Sequence, residues 1–149
     1  MIVVINAGSS SVKFAVFMAP GTPSRASLLS QGAFSGIGQT VRFRASDAAG
    51  ATLVDQTMDA TTTHEDTLDV LLGWLDKHYP DRPLLAAGHR VVHGGAHFYA
   101  PVMIDADMID ALRQGAPLSM GIDHPAYEVS PLVVTAAVRD SLLNDLTVS

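Results

Sequence analysis

Ile2-Val-Val-Ile-Asn6-Ala-Gly8-Ser9-Ser10-Ser11-Val12-Lys13-Phe-Ala-Val-Phe17 is the stretch whose reading decides the fold. Ile2 to Ile5 is a short apolar run. Beyond the serines, Val12, Phe14 and Val16 alternate with Lys13, Ala15 and Phe17, the period-two pattern of a half-buried strand. The reading is strand, polar turn, strand. A Walker-type phosphate loop needs G-x-x-x-x-G-K-[ST] leading into a helix, and neither that spacing nor that helix is present. The tip still concentrates backbone N–H groups around Gly8, the hydroxyls of Ser9, Ser10 and Ser11, the Asn6 amide and the Lys13 ammonium, all groups that cradle phosphate oxygens. The same residue types make ordinary solvated turns, so the hairpin alone leaves both readings open.

A second segment bears on that choice. Leu84-Leu-Ala-Ala-Gly88-His89-Arg90-Val-Val92-His93-Gly94-Gly95 reads as a largely apolar strand that carries a guanidinium and two imidazoles toward its end. The glycine pair then permits a tight turn. Arginine suits two-point recognition of a carboxylate or phosphate, so Arg90 beside Gly-Gly suggests a bound anion. The competing reading is a surface-paired arginine with a core histidine. His93 fits a functional and a structural role equally well.

Between these segments, Ala19 to Ser24 marks a loop, and the chain from there to about Met58 alternates short β-like runs with turn residues, as further strands of one sheet. Thr62-x-x-Glu65 has the form of a capping box. Leu68, Leu71, Leu72, Leu75 and Tyr79 follow at helical spacing, which predicts a helix from about Thr63 to His78 that Pro80 and Pro83 bring to an end. Trp74 on it reads as packing or rim. A shorter helix is predicted after Asp105, using Met108, Ile109 and Leu112, with Asp105 and Asp107 as capping and first-turn acids. Another is predicted over Val133 to Leu143. The order of elements is that of a mixed α/β domain.

Composition narrows the function classes. With 48% hydrophobic residues the chain can bury a core, and no apolar run approaches a membrane span. The N-terminal stretch lacks the pattern of a secretory signal, because Asn6 and the serines interrupt it at once. A formal charge of −6, from 15 acidic against 9 basic residues without a basic cluster, argues against nucleic acid and anionic membranes as partners. The absence of cysteine excludes disulfides and thiolate chemistry. The 6 histidines include no tight metal-ligand motif, which argues against a protein-held zinc site. His64 and His78, near the predicted helix ends, read as solvent-facing.

N-A-G-S-S-S-x-K at Asn6 to Lys13 and G-H-R-V-V-H-G-G at Gly88 to Gly95, in this order and separation, resemble the N-terminal half of the acetate kinase family. That family belongs to the superfamily of sugar kinases, heat-shock chaperones and actin. The match is convincing to about Gln114 and weak after Leu118. The resemblance implies a ribonuclease H-like (actin-like ATPase) α/β domain, a mixed β-sheet with flanking helices. Residues 1–149 would be one of the two domains that face a cleft, and the C-terminal nucleotide-binding domain would be absent. It also implies a cytoplasmic enzyme that transfers phosphate reversibly between ATP and acetate, giving ADP and acetyl phosphate, with Mg2+ accompanying the nucleotide. The full enzyme would be a homodimer, and this chain a weakly associating or monomeric, inactive half.

By the same resemblance, Arg90 is a catalytic and substrate-binding residue. Asn6, Gly8, Ser9, Ser11 and Lys13 line the phosphate side, with Asn6 toward the magnesium, and Val92 and Leu118 line the pocket for the acyl group. One departure stands out. The family continues Ala-Pro-Leu with His-Asn-Pro, whereas Ala116-Pro117-Leu118 here runs into Ser119-Met120-Gly121. His124, the next histidine, takes the family position only if Ser119 to Asp123 is an insertion. The alternatives to an acetate kinase are a kinase for propionate or butyrate and a noncatalytic anion-binding α/β module.

Overall fold

The computed structural model describes residues 1–19, 23–90, 103–105, 107 and 131–135. The opening stretch folds as the hairpin its pattern predicts, with β1 (Ile2–Gly8) antiparallel to β2 (Ser11–Phe17) and the register Asn6↔Lys13, Ala7↔Val12, Gly8↔Ser11. The alternation decides the faces. Val3, Ile5, Val12, Phe14 and Val16 are buried, while Lys13 on the intervening positions is exposed. Strand pairing runs through Asn6, Gly8 and Ser11, so the turn proper is only Ser9-Ser10.

Three antiparallel strands extend the sheet from β2: β3 (Leu28–Ser35), β4 (Val41–Asp47) and β5 (Thr52–Met58). The β3–β4 turn depends on Gly36, at φ 83°, where a side chain would also collide with the Thr40 carbonyl. After a helix α1 (His64–His78), β6 (Ala86–Arg90) returns parallel to β1 on its other edge, and β7 (Pro131–Thr135) pairs antiparallel to β6. The spatial order is β5-β4-β3-β2-β1-β6-β7. The β6 entry is tied to the start of β1, with the Met1 amine donating to Pro83 O at 2.7 Å and Leu85 N to Met1 O at 2.9 Å.

Helix α1 starts one residue later than its sequence signature suggests. The capping box is Thr63 with Asp66: Asp66 N donates to Thr63 Oγ1 at 3.2 Å and Thr63 N to Asp66 Oδ2 at 2.7 Å. The Thr62 hydroxyl is instead turned back to the preceding turn, where it donates to Asp59 O at 2.6 Å. At the other end Tyr79 is the C-cap, not a helical residue. Leu68, Leu71, Leu72 and Leu75 form one buried cluster with Val3, Ile5, Phe14, Phe34, Phe43 and Ala87. Phe34 and Phe43 stack at 4.3 Å, and Trp74 packs edge-on to Phe43 at 5.8 Å, which makes it a packing residue.

The helix predicted over Val133 to Leu143 is corrected in its first part, because residues 133–135 belong to β7. Pro131-Leu-Val-Val-Thr carries consecutive β-branched residues, and β6 offers an edge to pair with. The helix predicted after Asp105 at Met108, Ile109 and Leu112 lies outside the described residues.

Gly32 on β3 lies opposite Phe14, and an added Cβ would meet the Arg44 carbonyl oxygen and come within 2.6 Å of the Phe14 ring. The ring covers the glycine, as aromatic side chains do on sheets. Gly32→Ala should therefore destabilise the domain by about 1–3 kcal/mol, the usual range for overpacking. An unchanged denaturation midpoint would contradict this packing.

Candidate anion-binding site

Because β1 and β6 run parallel, both deliver their C-terminal ends to one edge of the sheet, the place where open α/β sheets bind ligands. Their register ends at Ile5↔His89, so Arg90 stands one step further, alongside Asn6. On the other side of β1, Asn6 pairs directly with Lys13. The fold thus brings together three residues that the sequence places in two distant motifs. Gly8, Ser9, Ser10 and Ser11 form the hairpin end just beyond them. Arg90, Lys13, Gly8, Ser9 and Ser10 are exposed, and Asn6 and Ser11 are half-buried. Val92, His93, Leu118 and His124 lie outside the described residues.

The hairpin tip is held from outside itself. The Ser10 carbonyl accepts hydrogen bonds from Gly36 N at 3.0 Å and Ile37 N at 3.1 Å, both in the β3–β4 turn. The Gly8 carbonyl pairs with His64 Nε2 at 2.7 Å. The expectation that His64 faces solvent is therefore corrected: as the first residue of α1 it reaches back to the tip. His78 is exposed and stacks on Trp74 at 4.9 Å. Sequence reasoning had no signal for the His64 contact, which joins residues 56 apart and depends on how α1 docks.

His89 and Arg90 divide by strand alternation. His89 pairs with Ile5, and burial pushes its imidazole below the ordinary histidine value, against an opposing hydrogen bond with the Arg90 backbone. Its buried Nε2 has no hydrogen-bond partner among the described residues. A charge there would be poorly solvated, so the cation at this strand end is Arg90.

The same sheet face carries two more arginines, and these are committed elsewhere. The rungs run Asn6↔Lys13, Lys13↔Ala33, Ala33↔Arg44 and Arg44↔Asp55. Asp55 accepts from Arg42 Nε at 2.7 Å and Nη2 at 2.8 Å, and from Arg44 Nε at 3.0 Å. The Arg42 hydrogen bond, opposed by partial desolvation and reinforced by Arg44, holds the Asp55 carboxyl down to about 2. With Arg42 and Arg44 turned to one carboxylate, the cations that flank Asn6 are Lys13 on the β2 side and Arg90 on the β6 side.

An α/β sheet of this topology, with an anion-suited edge and a described helix on one face, defines a domain of the actin-like ATPase type. The Acetokinase family model matches residues 1–142. The acetate kinase of Rhodopseudomonas palustris (strain TIE-1) is 37% identical over 145 residues, a match covering 95% of this chain and 35% of that protein. The acetate kinase of Rhizobium meliloti is 40% identical over 149 residues, covering 94% and 37% respectively. Among solved structures, a propionate kinase from Francisella tularensis superposes with a TM-score of 0.66 at 26% identity, covering 90% of this chain and 36% of that one. The chain belongs to the acetokinase family. It spans about a third of the length of the relatives it matches. Among the described residues, no helix is long and apolar enough to cross a membrane.

The Asp55 cluster makes a pH prediction with a definite sign. Its folded-state value is depressed from 3.8 to about 2, so the stabilisation is complete above the unfolded value and is lost as pH falls through the folded one. Between those two values, wild-type protein should lose more stability than Asp55→Asn as acid is added. Parallel acid-titration curves for the two proteins in chemical denaturation would contradict the assignment.

Proposed function

We propose that this chain supplies one wall of the active site of an acetate kinase-type phosphotransferase, which transfers phosphate between ATP and acetate to give ADP and acetyl phosphate. The observation that carries the reading is the convergence of Arg90, Asn6, Lys13 and the Gly8–Ser11 hairpin end at the C-terminal edge of β1 and β6. A carboxylate is already ionised at neutral pH, so it attacks a phosphoryl group without a general base. The protein's task is positioning and charge neutralisation. Arg90 would hold the acetate carboxylate or the transferring phosphoryl group, and Gly8, Ser9, Ser11 and Lys13 would face the phosphate side.

Magnesium fits this arrangement in a particular way. Among the described residues, no three His, Cys, Asp or Glu side chains converge on a metal position. Asn6 offers one neutral oxygen, and Mg2+ commonly keeps waters and substrate phosphates as ligands. The donor set suits an ion that arrives on the nucleotide, with Asn6 beside it. When bound, that ion would offset phosphate charge; Arg90 and Lys13 orient the reacting groups.

The acyl pocket would involve Val92 and Leu118, with His124 as a further phosphate contact if the intervening residues are an insertion. A second reading, a kinase for propionate or another short-chain acid, is favoured by the likeness to the Francisella tularensis propionate kinase. One methylene changes binding in an apolar pocket by only about 1–3 kcal/mol, so the two substrates compete closely. The reading also places the enzyme in the cytoplasm, with a homodimer for the full-length protein.

The 149-residue chain alone should form no acetyl phosphate from ATP and acetate above background, because nucleotide, metal and acceptor must be positioned together. Robust turnover by the purified chain would show that these residues hold a complete site. Joined to the remaining portion of the Rhizobium meliloti relative, the chain should gain activity that Arg90→Lys lowers by roughly 10²–10³-fold in kcat. Unchanged kcat and acetate dependence in that variant would make Arg90 structural.

A further inference from the structure

The contact between His64 and Gly8 has a consequence for the direction of one N–H group. A carbonyl oxygen only accepts, so the 2.7 Å contact requires the proton on His64 Nε2. In a trans peptide, the form of nearly every bond not followed by proline, the C=O and N–H point opposite ways. Drawing the Gly8 oxygen toward α1 therefore sends the Ser9 N–H away from it. The neighbouring Ser10 carbonyl is pinned by Gly36 N and Ile37 N, so the two-residue turn is anchored on both sides.

His64 is itself firmly set. The Thr63–Asp66 capping box fixes the first turn of α1, and Thr67 Oγ1 donates to the His64 carbonyl at 2.6 Å. Thr67, Leu68 and Leu71 are buried beneath it. The helix is thus anchored in the core independently of the imidazole. That leaves the imidazole's hydrogen bond with the hairpin tip as its particular contribution.

We propose that His64 is the positioning residue of the hairpin tip, holding the Gly8 carbonyl so that the Ser9 N–H is presented to a phosphate oxygen. This rests on the reading of the tip as an anion site. It assigns His64 no contact with substrate. The Gly8↔Ser11 pairing holds this peptide from within the hairpin, and the imidazole holds its carbonyl from outside; without the imidazole donor the Gly8–Ser9 peptide is held by the ladder alone and presents its N–H less rigidly.

The test uses the 149-residue chain with inorganic pyrophosphate as the probe, comparing wild type with His64→Phe, which keeps ring volume without a donor, and His64→Gln, which keeps an amide donor. In wild type, long-range nitrogen–proton NMR should find the neutral His64 ring protonated at Nε2. The Gly8 carbonyl carbon should carry the chemical shift of a hydrogen-bonded carbonyl, and the Ser9 amide should shift on pyrophosphate addition. His64→Phe should move the Gly8 carbonyl signal upfield and weaken the Ser9 response by about tenfold, while leaving the Leu68 and Leu71 amides protected from exchange. His64→Gln should recover part of both effects. An unchanged Gly8 carbonyl signal and an equal pyrophosphate response in wild type and His64→Phe would overturn the proposal. So would an Nδ1-protonated wild-type ring, which needs no variant to fold. No pyrophosphate response in wild type would refute the anion reading of the tip; the Gly8 carbonyl comparison, which needs no ligand, separately decides whether His64 holds it.

Discussion

The structure depends on β1 being paired along both edges, antiparallel to β2 and parallel to β6. The antiparallel side is local, closed by a two-residue turn. The parallel side requires the chain to pass through β3, β4, β5 and α1 before β6 returns. That crossover carries Arg90, more than seventy residues beyond the hairpin, to the strand end where Asn6 and Lys13 face each other. A strand paired on one edge alone would leave the two motifs unrelated in space. The buried side chains of Val3 and Ile5, in one core cluster with Leu68, Leu71 and Leu75 of α1, hold β1 in its place.

The same strands separate core side chains from those of the opposite face by alternation. Val3 and Ile5 point into the core while Asn6 follows at the strand end, and His89 is withdrawn beside Ile5 while Arg90 is exposed. Charge is managed similarly. Arg42 and Arg44 are held by Asp55 two strands away from Lys13, so the basic side chains of this face do not act as one undifferentiated patch. The hairpin tip is braced by backbone donors from the β3–β4 turn and by the imidazole at the start of α1. Bracing of this kind lowers the cost of ordering a loop when it meets a ligand.

Much of this was legible in the sequence because the signals were local. Alternation over Val12 to Phe17 gave the hairpin, leucine spacing gave α1, and the two motifs carried the family resemblance. The misplaced features have physical reasons. The capping box sits at Thr63, not Thr62, whose hydroxyl is turned to Asp59 O in the preceding turn, a local contact that the pattern Thr-x-x-Glu does not reveal. Residues 133–135 joined a sheet edge supplied by β6, where tertiary context outweighed a helical reading. His64 looked like a solvated helix end because its partner, the Gly8 carbonyl, is a backbone atom in a distant segment and leaves no trace in side-chain pattern.

The central claim is that two distant sequence motifs make one anion site. Acetyl phosphate titrated into isotopically labelled 149-residue chain, with the Ser9–Ser11 amides and the Arg90 side-chain Nε–H followed together, tests it most directly. One site predicts that both sets of signals move with the same midpoint, and that Arg90→Lys weakens the response at the hairpin amides. Responses with different midpoints, or a hairpin response indifferent to Arg90→Lys, would contradict it.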